Sequence, residues 1–180
     1  MTRGGFSFGL GTCAVVWTAA EAKSVATLVV VSCRGTDSAD LAEDDMISSL
    51  RTRGVSCVDP SAITSTLHTR ARFVAQRVFD GIELDYDAVS WVTTDYGATR
   101  LLLATLELHD RELPYGEFTV HDMRAILSAR CFDVRRKTLV GSGSVTRSAK
   151  GEDDAQVRFN VLRDSAEGLA GRIAASLTRS

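Results

Sequence analysis

The chain has 180 residues, 44% hydrophobic and 24% charged, enough apolar surface for a buried core, and its 2 Pro and 14 Gly are too few for a collagen-like or disordered polymer. Lys+Arg 21 against Asp+Glu 23 leaves a net charge of -2, and aromatic residues make up 7%. With no basic field to hold phosphates and few rings to stack on bases, nucleic acid is not an expected partner.

Arg3 precedes an uncharged stretch from Gly4 to Ala20, and Ala20-Glu21-Ala22 sets small residues at the two positions a signal peptidase reads. Residues 1–22 are expected to be a signal peptide and 23–180 a single globular domain. The stretch falls short of the roughly 20 strongly apolar residues that span a bilayer. The competing reading is an N-terminal strand or helix packed on the domain. Leu10-Gly11-Thr12-Cys13 resembles the lipobox of bacterial lipoproteins, so lipidation of Cys13 is a second reading of the same segment. Membrane contact is expected only through a leader or such an anchor.

Ala26 to Ser32 (ATLVVVS) is a β-branched run without alternation, as in a strand covered on both faces. Asp37 or Ser38 then caps a helix with Ala42, Met46, Ile47 and Leu50 on one side, ended by Gly54. Val55 to Val58 reads as a short strand, which makes a parallel βαβ crossover. Asp59-Pro60 opens a second helix carrying Ala71, Val74 and Val78. A third helix begins at Asp85, with Leu84, Ala88, Trp91 and Val92 on one side, and stops at Gly97, where a left-handed residue is needed.

Arg100 to Leu108 (RLLLATLEL) is too apolar for a sheet edge. After a Pro114-Tyr115-Gly116 turn, Phe118 to Val134 alternates, with Met123, Ala125, Leu127, Ala129 and Cys131 on a dry face and Arg124, Ser128 and Arg130 on a wet one. Arg135-Arg136-Lys137 connects to Thr138–Arg147, completing an antiparallel meander. The charged segment from Lys150 to Asp154 caps a terminal helix with Leu162, Ala166, Leu169, Ile173 and Leu177 at helical spacing. The expected fold is α/β (α+β), one mixed sheet in the order β-α-β-α-α-β-β-β-α.

Cys33, Cys57 and Cys131 lie outside the leader, with no CxxC and no His at ligand spacing, so neither a metal nor a redox site is indicated. Cys33 and Cys57 could form a disulfide if their strands face each other; buried thiols are the alternative. His109-Asp110 and His121-Asp122 flank the hairpin turn near Glu112 and Glu117, but neighbours on a strand point to opposite faces, so neither pair acts as a unit. His68 has no partner in sequence. The acidic run Asp37, Asp40, Glu43, Asp44, Asp45 reads as a solvated helix start. Gly141-Ser142-Gly143-Ser144 lies within the meander and makes no nucleophile elbow, while Gly5, Gly9 and Gly11 precede the first strand and build no phosphate cradle. No catalytic, cofactor or metal residues are assigned. Arg124, Arg130, Arg135 and Arg147 form the candidate partner surface, since arginine is enriched at interfaces.

Thr93 to Leu106 (TTDYGATRLLLATL), Ala129 to Val145 (ARCFDVRRKTLVGSGSV) and the Ala- and Leu-rich terminal helix resemble the superfamily of bacterial envelope domains that includes CsgG, the N-terminal domain of TolB and the LpoB-type activators. The likeness spans most of residues 25 to 178. It implies an exported, periplasmic or outer-envelope domain without cofactor or catalytic centre, binding other envelope proteins or itself. Pore-forming members add long membrane-spanning hairpins, and the segments here are too short and charged to supply them. The rival readings are a structural homo-oligomer and a hydrolase whose site is assembled from distant residues. Export predicts a cellular species shortened near residue 22; intact-mass measurement of the envelope fraction checks it, and a cytosolic full-length chain of 19.4 kDa would reject it.

Overall fold

The computed structural model describes residues 25–34 and 38–178; residues 1–22, expected to be a signal peptide, with Cys13 among them, and Asp37 lie outside the described residues. The apolar run after Val25 forms β1 (Thr27–Arg34), and the next amphipathic stretch forms α1 (Ala39–Thr52). A 3-10 turn at Pro60–Ala62 leads into α2 (Ser65–Phe79), and a single helical turn, α3 (Trp91–Thr94), precedes β2 (Arg100–Tyr115). Then come β3 (Phe118–Asp133), β4 (Thr138–Gly151) and α4 (Asp154–Leu177). The sheet order is β1-β2-β3-β4, with β1 parallel to β2 and the remaining pairs antiparallel. The mixed sheet, its three-stranded meander and its closing helix are those the sequence predicts.

Both faces of β1 are covered. On one side Val29, Val31, Leu102, Ala104 and the alternate residues Met123 to Cys131 meet α1 and α4. On the other, Leu28, Val30, Leu101, Leu103 and Phe132 meet α2, Leu84 and the Val89–Val92 segment. The five predicted α4 positions, Leu162, Ala166, Leu169, Ile173 and Leu177, are all buried. Asp153 caps this helix, its side chain accepting from the Gln156 N–H at 3.0 Å.

The Gly141-Ser142-Gly143-Ser144 stretch explains how α4 approaches the sheet. Gly141 and Gly143 face α4: a Cβ on Gly143 would stand 3.3 Å from Leu169 Cδ1, and one on Gly141 3.2 Å from Ser176 Cβ. At the end of β4, a Cβ on Gly151 would come to 2.8 Å from Val157 Cγ2, closer than carbon atoms approach. The serines between these glycines face the other way.

Two predicted elements are shorter than the sequence suggests. Val55–Val58 contributes one parallel bridge, Thr27 to Cys57, through Thr27 N–H to the Ser56 carbonyl and Val58 N–H to the Thr27 carbonyl. Asp59 then turns the chain, its carboxylate accepting from Ser61, and Pro60 offers no N–H to continue a ladder. The helix expected from Asp85 is confined to Trp91–Thr94, because the Asp85 carboxylate captures the N–H groups of Asp87 and Ala88 in a local turn. Gly97 does adopt the left-handed conformation, at φ 62.

Leu169→Ala should cost about 3 kcal/mol, since the fully buried side chain fills the α4–sheet seam and rigid neighbours on two elements cannot collapse onto the void. Urea unfolding measures it.

Candidate interaction surface

Register decides which side chains can act together. β2 and β3 each have 16 residues, whereas β1 has 8 and pairs with β2 only as far as Glu107. β4 reaches along β3 only to His121. Past those limits β2 and β3 continue as a two-stranded arm, closed at its tip by Gly116 (φ 65) between the paired Tyr115 and Phe118. Pro114 thus belongs to the strand and only Gly116 and Glu117 form the turn.

Tyr115 is 78% exposed and Phe118 61%. Leu113 pairs with Val120 one step below them on the same face, so the tip carries a small apolar patch on the α2 side of the sheet. Between this patch and α2 the same face is polar. Asp122 stands between Arg111 and Lys150, with Lys150 Nζ 2.8 Å from its carboxylate, and Ser128 Oγ donates to Ser144 Oγ at 2.8 Å.

The four arginines assigned to one partner surface do not share one. Arg124 lies exposed on this open face. Arg130 is half-buried: its Nη1 donates to the Val78 carbonyl at 3.1 Å and its guanidinium lies 5.2 Å from the Phe79 ring centroid, so it ties α2 to the sheet. Arg135 is at the exposed β3–β4 turn. Arg147 pairs with Ala125 and therefore points to the α4 side, against Gly168. Alternation sends neighbours along a strand to opposite faces while paired residues share one, so Arg147, opposite Ala125, leaves the face that holds Arg124, and the wet face of β3 becomes partly dry where α2 crosses it.

The Cys33–Cys57 pairing is also corrected. Cys57 stands opposite Thr27, six residues along β1 from Cys33, which at about 3.3 Å per residue is far beyond disulfide reach. Cys57 and Cys131 are free thiols, and burial raises their pKa to about 11 and about 12.

The acidic run read as solvated contains one buried carboxylate, and it pairs with the half-buried His68. Glu43, 2% exposed, accepts from the Val31 N–H at 2.8 Å and lies 2.8 Å from His68 Nε2. It satisfies a backbone donor on the open side of β1 and joins β1, α1 and α2. Beside it, Arg72 pairs with Asp40 at the rim of a cavity of about 470 Å³ that also includes Cys33, Phe73 and Gln76. Neither His109 nor His121 lines that cavity, so the grouping that would favour a hydrolase is not assembled there. Burial pushes the Glu43 carboxyl above its ordinary range, opposed by the Val31 N–H, His68 and Arg72.

His121 lies on the α4 side of the arm's root. Its Nδ1 is 3.7 Å from an oxygen of Asp110 and 3.7 Å from one of Asp154. The adjacent pairs His109-Asp110 and His121-Asp122 do point apart, as predicted. The convergence comes instead from a diagonal neighbour and from the start of α4, which no local spacing signals.

No protein-family model matches the chain, and no curated protein matches it in sequence. Solved structures do. A hypothetical protein from Chlamydia trachomatis is 13% identical with a TM-score of 0.51, over 83% of this chain and 98% of that one. A minor lipoprotein from Acinetobacter baumannii is 14% identical with a TM-score of 0.47, over 86% and 93%. The LpoB C-terminal domain from Salmonella enterica is 12% identical with a TM-score of 0.42, over 69% and 82%. At such identities the first likeness shows a shared fold alone.

Glu43→Ala should cost roughly 3 kcal/mol by orphaning the Val31 N–H and His68. Because the folded state raises the Glu43 pKa, its favourable contribution is present below the ordinary value of 4.5 and is lost as pH rises through the folded value. Wild type should therefore lose stability relative to Glu43→Gln as pH rises from 4.5 toward neutrality. Urea titrations of both proteins that keep a constant difference across that range would contradict this.

Proposed function

We propose that this chain is an exported, non-enzymatic protein of a bacterial envelope that works as an interaction or assembly module, presenting the β2–β3 arm to another envelope protein. One observation carries the reading: a projecting hairpin on a well-packed base exposes a tyrosine and a phenylalanine side by side. Aromatic rings confer large contact area at small entropy cost and are concentrated at interface cores, so such a pair at a tip has little structural use but suits a binding anchor. Support comes also from the sequence resemblance to CsgG, TolB and LpoB-type envelope domains. Among the described residues no helix is long and apolar enough to cross a membrane. Export through residues 1–22 belongs to this proposal, as does lipidation of Cys13.

The second reading, a homo-oligomer, draws on β4, an edge strand of 14 residues with only Arg147 and Lys150 to blunt its open side. A solution mass above 19.4 kDa by light scattering would favour it.

A photo-crosslinking residue at position 118 should capture one envelope protein or a second copy of the chain in living cells, and Tyr115→Ser should abolish the product without lowering thermal stability. The same probe at Leu139, exposed on β4, serves as the control. Equal capture from both positions would end the assignment of the arm.

A further inference from the structure

We propose that Asp110, His121 and Asp154 bind a divalent transition cation of the zinc class at the root of the arm. His121 pairs with Glu112, and Asp110 lies two residues from that pair on β2, so both side chains are on the α4 face; Asp154 opens α4 beneath them. One donor atom from each lies within 4.8 Å of the others. The two His121 Nδ1 distances of 3.7 Å are too long for hydrogen bonds, and Nδ1 is shut off from solvent with no hydrogen-bond partner. A buried ring nitrogen facing two carboxylates across such gaps is the spacing a bound ion would fill. With metal–ligand bonds of about 2.0–2.2 Å, tetrahedral geometry separates ligand atoms by roughly 3.4 Å, so the two His121 distances of 3.7 Å close by a few tenths of an ångström, and side-chain rotation brings together the two carboxylates, which lie within 4.8 Å of each other.

The donor set selects the ion. One imidazole and two carboxylates suit zinc-like cations, whereas calcium calls for six to eight oxygens. Arg158 Nη2 contacts both Asp154 oxygens at 3.3 Å, so the ion shares that carboxylate with a guanidinium. The dipole at the α4 N-terminus opposes a cation, and the two carboxylates offset it. Three protein ligands leave a fourth position open to water or to a donor from a partner. Bound there, the ion joins both strands of the arm to α4 and fixes the angle at which the arm leaves the domain. The site stands on its own geometry and does not depend on what the arm binds.

Titration of the full-length chain with ZnCl2, followed by calorimetry, should show saturable binding of a single ion. His121→Ala and Asp110→Asn should each weaken it by more than about tenfold. Asp110→Asn, isosteric and on the exposed arm, keeps the test sound should His121→Ala misfold. CoCl2 supplies the second readout: visible bands of a tetrahedral nitrogen and oxygen site, without the near-ultraviolet band of a thiolate ligand. Absence of saturable binding, equal affinity in the Asp110→Asn variant, or a thiolate band carrying the signal would each overturn the proposal.

Discussion

The pairing of two sixteen-residue strands against an eight-residue neighbour governs this molecule. Where β1 runs alongside, β2 is apolar on both faces, because α1 and α4 cover one and α2 the other. Where β1 ends, the side chains turn polar: Glu107, His109, Asp110, Arg111 and Glu112 follow within six positions. Pairing to β3 alone then supports the remainder as an arm, which would be marginal if detached but extends here from strands already held by the core.

The base that holds the arm is fastened by a buried charge as well as by apolar packing. Glu43 reaches across from α1 to satisfy the Val31 N–H and meets His68 from α2. Its carboxylate performs on the open side of β1 the task a further strand would perform elsewhere, at a cost in desolvation that the Val31 N–H, His68 and Arg72 offset only in part. Among the described residues, one backbone bridge, at Thr27, supplements it on that side.

The arm offers different chemistry on its two faces. Toward α2 it is apolar at the tip and charged along the open sheet; toward α4 it sets Asp110 and His121 against Asp154. A contact at the tip and an ion at the root would act on the same two strands, so the orientation of one bears on the presentation of the other.

Hydrophobic pattern alone determined most of the architecture. The β-branched run at Ala26–Ser32, the alternation from Met123 to Cys131 and the spacing from Leu162 to Leu177 each record which side of an element is dry, and local periodicity suffices to read that. Gly97 was legible for the same local reason. Tertiary structure decided everything that depends on a partner distant in the chain: the burial of Glu43 by His68, the separation of Arg124 from Arg147, the distance between Cys33 and Cys57, and the meeting of His121 with Asp154. Register and helix placement set those contacts, and a shift of one residue in pairing would reverse every face involved, so no short stretch of sequence encodes them.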